Sequence, residues 1–577
     1  MHTILDTNPK FAKAFIDMLY FLGVEDFCVC PGSRSTPLIS AISNHPHARS
    51  HVFFDERSAA FATVGFGKSG TLAALVVTSG TAVANAYPAV IEASLSSTPM
   101  VVISGDRPPE LRDTGANQTI DQNKIFQGYT RFFFDFPCPN TDLQVHFLQS
   151  TLSYAVWNCI GVHAGPIHLN CMFREPFSSS ESTDHSFFYN VCTYSTPQIQ
   201  ISIEDTVKLL DICNKARKGL LVIGELSNPS DQEMAEKICN HINWPCVVDV
   251  GSGIRLRSIK RNILSFETFF KTQRHIPDLI LHLGKGISSK SYEDWIKQHG
   301  IHQIVIDKNP IRIDPSNSCQ WRIFAEIQHM HTLQRIQSTS YLFGIVAAYN
   351  QKVLETLDSI IEEANSISEI QLAQNIGNLL PSSAKLFVGN SMPIRDLNNF
   401  AIPLQPIETA CNRGASGIDG IIATAFGWSL VDRNPTAVLL GDVSSIHDWS
   451  SVFSIASLYH ATKNGSTAQY KHSFVIIVIN NSGGSIFSML PISKEMPPEQ
   501  FGRLFTTQHA HTFTNIAQSM GITALQVSTM DTLEQAITSS FEKQGLSLIE
   551  VMSNREKNVL DHQQIHQILL PFLEQLT

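Results

Sequence analysis

The stretch LLGDVSSIHDWSS, Leu439–Ser451, places a carboxylate directly after a run of apolar residues. The run begins at Thr436 and predicts a buried strand that ends at Gly441-Asp442. In open α/β sheets, ligands bind at the carboxyl ends of the strands. The stretch therefore predicts a parallel α/β fold in which Asp442 contributes to a ligand-binding site.

The composition is that of a large globular protein. The 577 residues predict about three domains at roughly 100–200 residues each. The net charge is −10, and no Lys/Arg cluster stands out, which disfavours nucleic acid and anionic membranes as partners. We expect no membrane span, because no apolar run reaches about 18 residues. The eleven cysteines form no disulfide pattern, so we expect free thiols and a cytoplasmic location.

Short apolar runs alternate with helix-like segments, which is typical of βαβ units. We predict an α/β protein of three doubly wound parallel-sheet domains, over residues 1–180, 195–345 (Rossmann-like) and 350–577. A Ser/Thr-rich linker is expected within 176–201. The predicted strands are Phe27–Cys30, His51–Phe54, Ala73–Val77, Met100–Ser104, Gly219–Ile223, Cys246–Val248, Leu279–Leu283, Gln303–Ile306, Lys385–Val388, Ala437–Leu440, Phe474–Ile479 and Leu548–Val551. A helix is predicted over Ala82–Ser94.

A second strand ends in polar residues that complement Asp442. The apolar run Ser473–Ile479 is followed by NNSGG, residues 480–484. A divalent cation such as Mg²⁺ takes carboxylate, amide and carbonyl oxygens, which Asp442, Asn481 and Gly483 could supply. The glycines would let a diphosphate approach the backbone. The alternative is that both segments are only turns.

The two segments resemble the thiamine-diphosphate motif, in which Gly-Asp and Asn-Asn follow separate strands. The resemblance implies that a glutamate from another domain activates the cofactor. Glu56 in FFDERSAAF follows a predicted strand, and VTSGTAVANAYPAVIEA, residues 77–93, follows it as in that class. The resemblance also implies a pyrimidine-binding first domain and a diphosphate-binding last domain. Alone, Glu56 would be read as favouring the helix dipole.

Four Gly/Ser/Pro-rich segments each carry an arginine after a predicted strand. They are CPGSRSTPL with Arg34, SGDRPPELRDTGANQTIDQ with Arg107, GNSMPIRDL with Arg395, and CNRGASGIDG with Arg413. Guanidinium groups bind carboxylates through paired hydrogen bonds. A solvated surface position is the alternative for any one of them, but the set indicates substrates with several carboxylates.

These segments, from residue 30 to residue 490, closely resemble the 2-succinyl-5-enolpyruvyl-6-hydroxy-3-cyclohexene-1-carboxylate synthase family, the MenD family of menaquinone biosynthesis. The resemblance implies a transferase that decarboxylates 2-oxoglutarate and adds the succinyl-semialdehyde carbanion to isochorismate, with release of CO₂. It also implies a homodimer with shared active sites, or a homotetramer built from such dimers.

The resemblance assigns roles to individual residues. Glu56 would activate thiamine diphosphate, and Asp442, Asn481 and Gly483 would hold Mg²⁺ or Mn²⁺. The residues expected to bind the cofactor are Ser391, Gly417, Ile418, Gly441, Asp442, Val443, Ser444, Asn481, Gly483, Ile486 and Phe487. The residues expected to bind substrate are Ser33, Arg34, Arg107, Asn117, Gln118, Lys290, Arg395 and Arg413.

Two features depart from the family pattern. Lys290 is followed by Ser291, where the resemblance leads us to expect a second basic residue. The segment His460–Ser473 looks like a polar insertion, which we predict to be a surface loop.

Three other functions stay open on the residues alone. Another thiamine-diphosphate-dependent 2-oxoacid decarboxylase or carboligase would share the cofactor site without needing the arginine set. An inactive binding module would be free to lose Glu56, Asp442 and Asn481. A nicotinamide dehydrogenase would need a G-x-G-x-x-G turn, of which we find no convincing example.

Overall fold

The computed structural model describes residues 4–177, 192–226, 228–257, 259–362, 367–463 and 470–577. It contains three sheets, and every strand pair within them is parallel. The predicted α/β fold with three parallel sheets is confirmed. Within the ranges given above, no helix is both long and apolar enough to cross a bilayer.

The first sheet has six strands in the order β2-β1-β3-β4-β6-β5, with β2 on one side of β1 and the other strands on the other side, where β6 lies between β4 and the edge strand β5. Its inner strands β1, β3, β4 and β6 are fully buried, whereas the edge strands β2 and β5 are partly exposed. The strands are β1 Asp26–Val29, β2 Arg49–Val52, β3 Ala73–Val77, β4 Met100–Asp106, β5 Phe132–Phe136 and β6 Pro166–Met172. The helices are α1 Asn8–Phe21, α2 Thr36–Asn44, α3 Glu56–Lys68, α4 Thr81–Asn85, α5 Tyr87–Ser96 and α6 Val145–Ile160.

The second sheet has five strands in the order β11-β10-β9-β7-β8. Short continuous apolar runs form its central strands, as expected for a sheet covered on both faces. The strands are β7 Gly219–Ile223, β8 Cys246–Val248, β9 Leu279–Leu283, β10 Gln303–Ile306 and β11 Trp321–Ile323. The helices are α7 Ile203–Lys215, α8 Pro229–His241, α9 Phe266–Phe269 and α10 Lys290–His299.

The third sheet has six strands in the order β13-β12-β14-β15-β17-β16. The strands are β12 Lys385–Val388, β13 Glu408–Cys411, β14 Thr436–Gly441, β15 Phe474–Asn480, β16 Thr523–Val527 and β17 Leu546–Met552. The helices are α11 Leu342–Glu362, α12 Glu369–Leu379, α13 Met392–Phe400, α14 Ile421–Asp432, α15 Asp442–His447, α16 Trp449–Lys463, α17 Ile492–Glu495, α18 Pro498–Leu504, α19 Phe513–Ser519, α20 Met530–Glu542 and α21 Arg555–Gln575. Since Gly441 pairs with Ile479, β14 and β15 end side by side.

The chain forms two compact units that do not follow sequence order. Of the described residues, those within 1–197, 412–433 and 447–471 form the first unit, and those within 198–411, 434–446 and 472–577 form the second. Helices α14 and α16 therefore belong to the first unit. There α14 packs closely on α3. The contact is so close that a Cβ added at Gly65 would overlap the carbonyl oxygen of Thr424, and one added at Gly427 would overlap the carbonyl oxygen of Ala62.

Two local predictions are wrong. The helix predicted over Ala82–Ser94 is two helices, α4 and α5, because Pro88 lies in the first turn of α5 and cannot donate a backbone hydrogen bond. The segment His460–Ser473 is not simply a surface loop. It begins as the end of α16, and Tyr470 and Ser473 are buried; residues 464–469 lie outside the described ranges.

The predicted linker lies only partly within the described residues. Residues 192–201 have no regular secondary structure, and residues 178–191 of the predicted linker lie outside the described ranges. The domain limits at 180, 195, 345 and 350 stay predictions.

Candidate active site

The three predicted metal ligands lie close together where β14 and β15 end. Oδ2 of Asp442 accepts hydrogen bonds from the backbone N–H groups of Asn481 (3.1 Å) and Gly483 (2.9 Å). Oδ1 accepts one from Val443 N, at 2.6 Å. Asp442 is only 3% exposed, and burial raises the pKa of its carboxyl, opposed by these donors. The buried carboxylate of Asp442 is thus hydrogen-bonded directly to the backbone of the Asn-Asn-x-Gly-Gly loop.

The side chain of Asn481 leaves one polar atom unsatisfied. Its Nδ2 donates to Oε1 of Glu369 at 2.7 Å. Its Oδ1 is buried and has no hydrogen-bond partner among the described residues. A buried oxygen without a donor is costly unless another group satisfies it, and a hard cation would do so. The residues present therefore fit a divalent cation at this edge.

Gly483 needs to be glycine. Its φ is +143°, and an added Cβ would overlap the carbonyl oxygen of Thr506. The next residue, Gly484, donates its N–H to the same carbonyl at 2.7 Å. The close approach of two chain segments therefore shapes the loop that follows Asn481.

The other predicted cofactor residues of the second unit lie along the same strand ends. Ser391 follows β12, the neighbour of β14, and has a φ of +72°. Space is open around the Cα of Gly441, where an added Cβ would meet nothing within 4 Å. Val443 is half-buried and Ser444 is buried, both in the first turn of α15. Ile486 and Phe487 lie in the short 3₁₀ helix Ser485–Met489, with Phe487 packed edge-on against Phe505.

Arg395 is half-buried on α13 and turns back toward the start of its own helix. Its Nη1 donates to the carbonyl oxygen of Ser391 at 2.6 Å. The guanidinium is therefore held beside the Ser391 turn, where the resemblance places substrate.

In the first unit, Glu56 is the first residue of α3. The preceding residue, Asp55, caps the helix by accepting from Arg57 N. Oε2 of Glu56 accepts from Nδ2 of Asn85 at 3.0 Å. The carboxylate predicted to activate the cofactor is thus half-buried and held by one amide.

Two arginines of the first unit are buried in the same region. Arg34 and Arg107 are 7% and 9% exposed. Burial lowers the pKa of both guanidinium groups, and the charge of Arg107 lowers that of Arg34 further. Nη1 of Arg34 donates to the Phe173 carbonyl at 2.7 Å, and Arg107 donates to Oγ of Ser79. Two neighbouring buried cations favour an anionic ligand.

The Ser79 turn also collects other predicted substrate residues. Gln118 donates from Nε2 to the Ser79 carbonyl at 3.1 Å, and its φ is +54°. The adjacent Asn117 is exposed. Ser33 is exposed at the start of a 3₁₀ turn, next to a glycine that packs on Thr78. The structure therefore gathers Ser33, Arg34, Arg107 and Gln118 at the carboxyl ends of β1, β3 and β4.

Arg413, Gly417 and Ile418 lie in the loop that precedes α14. Buried Glu92 on α5 holds this loop, because its carboxylate accepts from Gly414 N (2.9 Å) and Ala415 N (2.7 Å). Ile418 is 36% exposed at the far side of the loop. The loop is thus anchored at one end and presents an apolar side chain at the other.

Lys290 lies on a different element from the other predicted site residues. It is the exposed first residue of α10, beside the second sheet. Within the described part of the chain, no hydrogen bond or ion pair joins it to another predicted site residue. Its role in binding substrate stays a prediction.

Three protein-family models match the chain in succession. The N-terminal TPP (thiamine pyrophosphate) binding domain of thiamine pyrophosphate enzymes matches residues 9–125. The middle domain matches residues 194–388, and the C-terminal TPP binding domain matches residues 420–551. An X-ray structure described as a thiamin diphosphate-dependent enzyme from Mycobacterium smegmatis covers 96% of this chain and 100% of its own, with a TM-score of 0.68 and 14% identity. That structure supports the fold alone.

Curated relatives match over nearly the whole length. The 2-succinyl-5-enolpyruvyl-6-hydroxy-3-cyclohexene-1-carboxylate synthase of Chlorobaculum tepidum is 34% identical, covering 95% of each chain. The enzyme of the same name from Chloroflexus aurantiacus is 35% identical, covering 97% of this chain and 96% of its own. The chain belongs to the 2-succinyl-5-enolpyruvyl-6-hydroxy-3-cyclohexene-1-carboxylate synthase family.

In this synthase-family chain, three buried or half-buried side chains contact the predicted residues but were not predicted. Glu369 holds Asn481, His509 approaches Asp442 with Nε2 3.2 Å from Oδ2, and Glu92 holds the Arg413 loop. Burial, reinforced by the charge of Asp396, raises the pKa of Glu369 to about 7. Glu369 and His509 lie outside the quoted motifs, and Glu92 lies within residues 77–93 but had no role assigned to it, so the sequence did not indicate these three contacts.

Proposed function

We propose that the protein is a transferase that makes 2-succinyl-5-enolpyruvyl-6-hydroxy-3-cyclohexene-1-carboxylate in menaquinone biosynthesis. It decarboxylates 2-oxoglutarate with thiamine diphosphate and joins the remaining four-carbon unit to isochorismate, releasing CO₂. The family relationship supports the reaction. The observation that carries the substrate class is the buried pair Arg34 and Arg107, since both substrates are dicarboxylates.

The proposal includes Mg²⁺ or Mn²⁺ held by Asp442, Asn481 and the carbonyl of Gly483. The unpaired Oδ1 of Asn481 supports it. Thiamine diphosphate, when bound, supplies the electron sink that decarboxylation requires. Glu56 would hydrogen-bond the aminopyrimidine ring and hold the proton that activates it. The strand-end residues Gly441, Ser444 and Ser391 would lie beside the diphosphate.

The arginines would orient and shield the substrates. Charge-assisted hydrogen bonds from buried guanidinium groups are stronger than those in water. Held at both carboxylates, 2-oxoglutarate would be fixed in one orientation for the loss of CO₂. Excluding water would then favour joining to isochorismate over protonation, which would release succinic semialdehyde.

We further propose a homodimer with shared active sites, assembled into a homotetramer, in the cytoplasm. An exposed apolar patch on the first unit supports self-association: Val52 is 48% exposed, Phe54 71% and Phe453 48%. Phe54 N donates to Oγ of Ser454, which brings β2 and α16 together in this patch. The eleven free thiols support a reducing compartment.

The test follows 2-oxoglutarate consumption by purified protein with thiamine diphosphate and Mg²⁺, with and without isochorismate. We expect consumption that depends on isochorismate and falls by at least about a hundredfold in Glu56→Gln. Steady consumption without isochorismate would instead indicate a plain 2-oxoacid decarboxylase. No consumption with bound cofactor would mean that the arginines bind other substrates.

A further inference from the structure

Two adjacent asparagines at the end of β15 are held by different buried glutamates. Asn480 donates from Nδ2 to Oε1 of Glu550 at 2.7 Å, and Asn481 donates from Nδ2 to Oε1 of Glu369 at 2.7 Å. Glu550 is fully buried and Glu369 is 2% exposed. The Asn-Asn pair is therefore clamped by two carboxyl groups that come from β17 and α12.

The contact with Glu369 decides which end of the Asn481 amide faces the cation site. An asparagine amide has a donor end and an acceptor end of nearly the same shape. Because Oε1 of Glu369 engages the donor end, the acceptor Oδ1 is left buried and unpaired. The opposite orientation would direct N–H groups at a cation, which repels them.

Glu369 is itself held from two directions. It is the first residue of α12, whose cap Ser368 accepts from Gln371 N. Its Oε1 also accepts from Oγ of Ser553 at 3.1 Å. With two donors directed at it, Oε1 acts as an acceptor whether or not the other oxygen carries a proton.

We propose that Glu369 is a positioning residue that orients the Asn481 amide so that Oδ1 can bind the divalent cation. This inference rests on the proposed function, because the cation is the one proposed to accompany the cofactor. Glu369 would not touch the cation. Partners of this kind that orient a ligand typically change metal affinity by about 10–100-fold when they are removed.

The first test measures Mn²⁺ affinity of the full-length protein with saturating thiamine diphosphate, from the electron paramagnetic resonance signal of free Mn²⁺. Glu369→Ala is expected to bind Mn²⁺ at least about tenfold more weakly. Glu369→Gln should bind within about threefold of wild type, because its Oε1 can still accept from Asn481. Ser553→Ala is the matched control, since it removes the other donor to Glu369 and leaves Asn481 untouched; it should also stay within about threefold.

A second test uses the contact directly and needs no cavity-forming variant. Asn481→Asp would replace the hydrogen bond to Glu369 by a contact between two carboxyl groups and should change Mn²⁺ affinity. Glu369→Gln supplies a side chain that can donate to the new carboxylate, so the change caused by Asn481→Asp should differ at least about threefold between the wild-type and the Glu369→Gln backgrounds. Such non-additive behaviour is expected only for side chains in contact.

The outcomes separate this inference from the proposed function. If wild type binds Mn²⁺ and Glu369→Ala binds it equally, or if the double variant is simply additive, the positioning role is wrong and the proposed function stands. If wild type itself binds no Mn²⁺ with the cofactor, both are wrong. Should Glu369→Ala fail to fold, the double-variant cycle decides alone.

Discussion

Asp448 caps a helix to which it does not belong. Its Oδ2 accepts from the backbone N–H groups of Ile422 (2.7 Å) and Ala423 (3.2 Å), at the amino end of α14. Its Oδ1 accepts from Oγ of Ser451 at 2.6 Å. Burial nevertheless raises the pKa of Asp448 to about 6. Asp448 thus stabilises the amino end of α14, although burying its carboxyl group away from water is unfavourable.

We expect this carboxyl group to make stability depend on pH. The ordinary pKa of 3.8 applies to the unfolded chain, so between pH 3.8 and about pH 6 the carboxyl group is protonated only in the folded state. The stabilisation of the folded state by this proton is therefore complete below pH 3.8 and is lost as the pH rises through about 6. The loss is on the order of 3 kcal/mol. Asp448→Asn keeps the shape and cannot ionise. Its thermal midpoint should fall less than that of wild type between pH 4 and pH 7; equal slopes would contradict this.

Gly483→Ala should weaken cofactor binding without unfolding the protein. The new Cβ would overlap the Thr506 carbonyl at a φ of +143°, so the loop beside Asp442 must shift. We expect Mn²⁺ and thiamine diphosphate to bind at least about tenfold more weakly by titration calorimetry. Gly484→Ala is the control, because its Cβ would meet Phe487 at 3.4 Å and the Phe505 carbonyl oxygen at 3.7 Å, both without overlap; equal losses in both variants would refute a specific need for glycine at 483.

At the scale of elements, the loop before α14 depends on Glu92. Glu92→Gln would turn one of two acceptors into a donor facing a backbone N–H, at a cost of about 1–3 kcal/mol. We expect kcat/KM for isochorismate to fall about tenfold or more through loss of Arg413 placement. The control is Glu110→Gln, which breaks an exposed ion pair with Arg174 and should change nothing measurable. Unchanged kinetics in Glu92→Gln would show that the loop needs no such anchor.

Strands that are continuous apolar runs between turn residues were predictable to the residue, as Gly219–Ile223 and Leu279–Leu283 show. The strands that went unpredicted have weaker patterns. Phe132–Phe136 carries an aspartate and lies half-exposed at a sheet edge, and Thr523–Val527 is mostly exposed and lacks a continuous apolar run. Propensity alone does not separate such segments from loops.

The candidate site divides in the same way. Asp442, Asn481 and Gly483 were predictable together because the ends of neighbouring parallel strands meet, and the motif is local to each strand end. Glu369 lies 112 positions from Asn481, and only the packing of α12 against the third sheet brings them together. Contacts of this kind depend on tertiary structure, and no characteristic spacing in the sequence indicates them.

For the whole molecule, the proposed shared sites predict complementation between inactive variants. Glu56→Gln and Asp442→Asn should each be inactive alone. In a mixed dimer, one of the two sites receives both intact residues, so the mixed dimer should show about half of wild-type activity. Co-expression with two different tags, followed by assay of the doubly tagged species, measures this. No recovery in that species would place both residues in one site of one chain.

The membership of α14 and α16 in the first unit limits how such a gene can be recombined. A crossover between residues 197 and 412 would pair the α3 of one parent with the α14 of another, across a helix contact in which Gly65 and Gly427 leave no room for a side chain. To keep this contact, a working chimera would have to take residues 1–197, 412–433 and 447–471 from the same parent. In evolution, too, these three separate stretches would have to travel together.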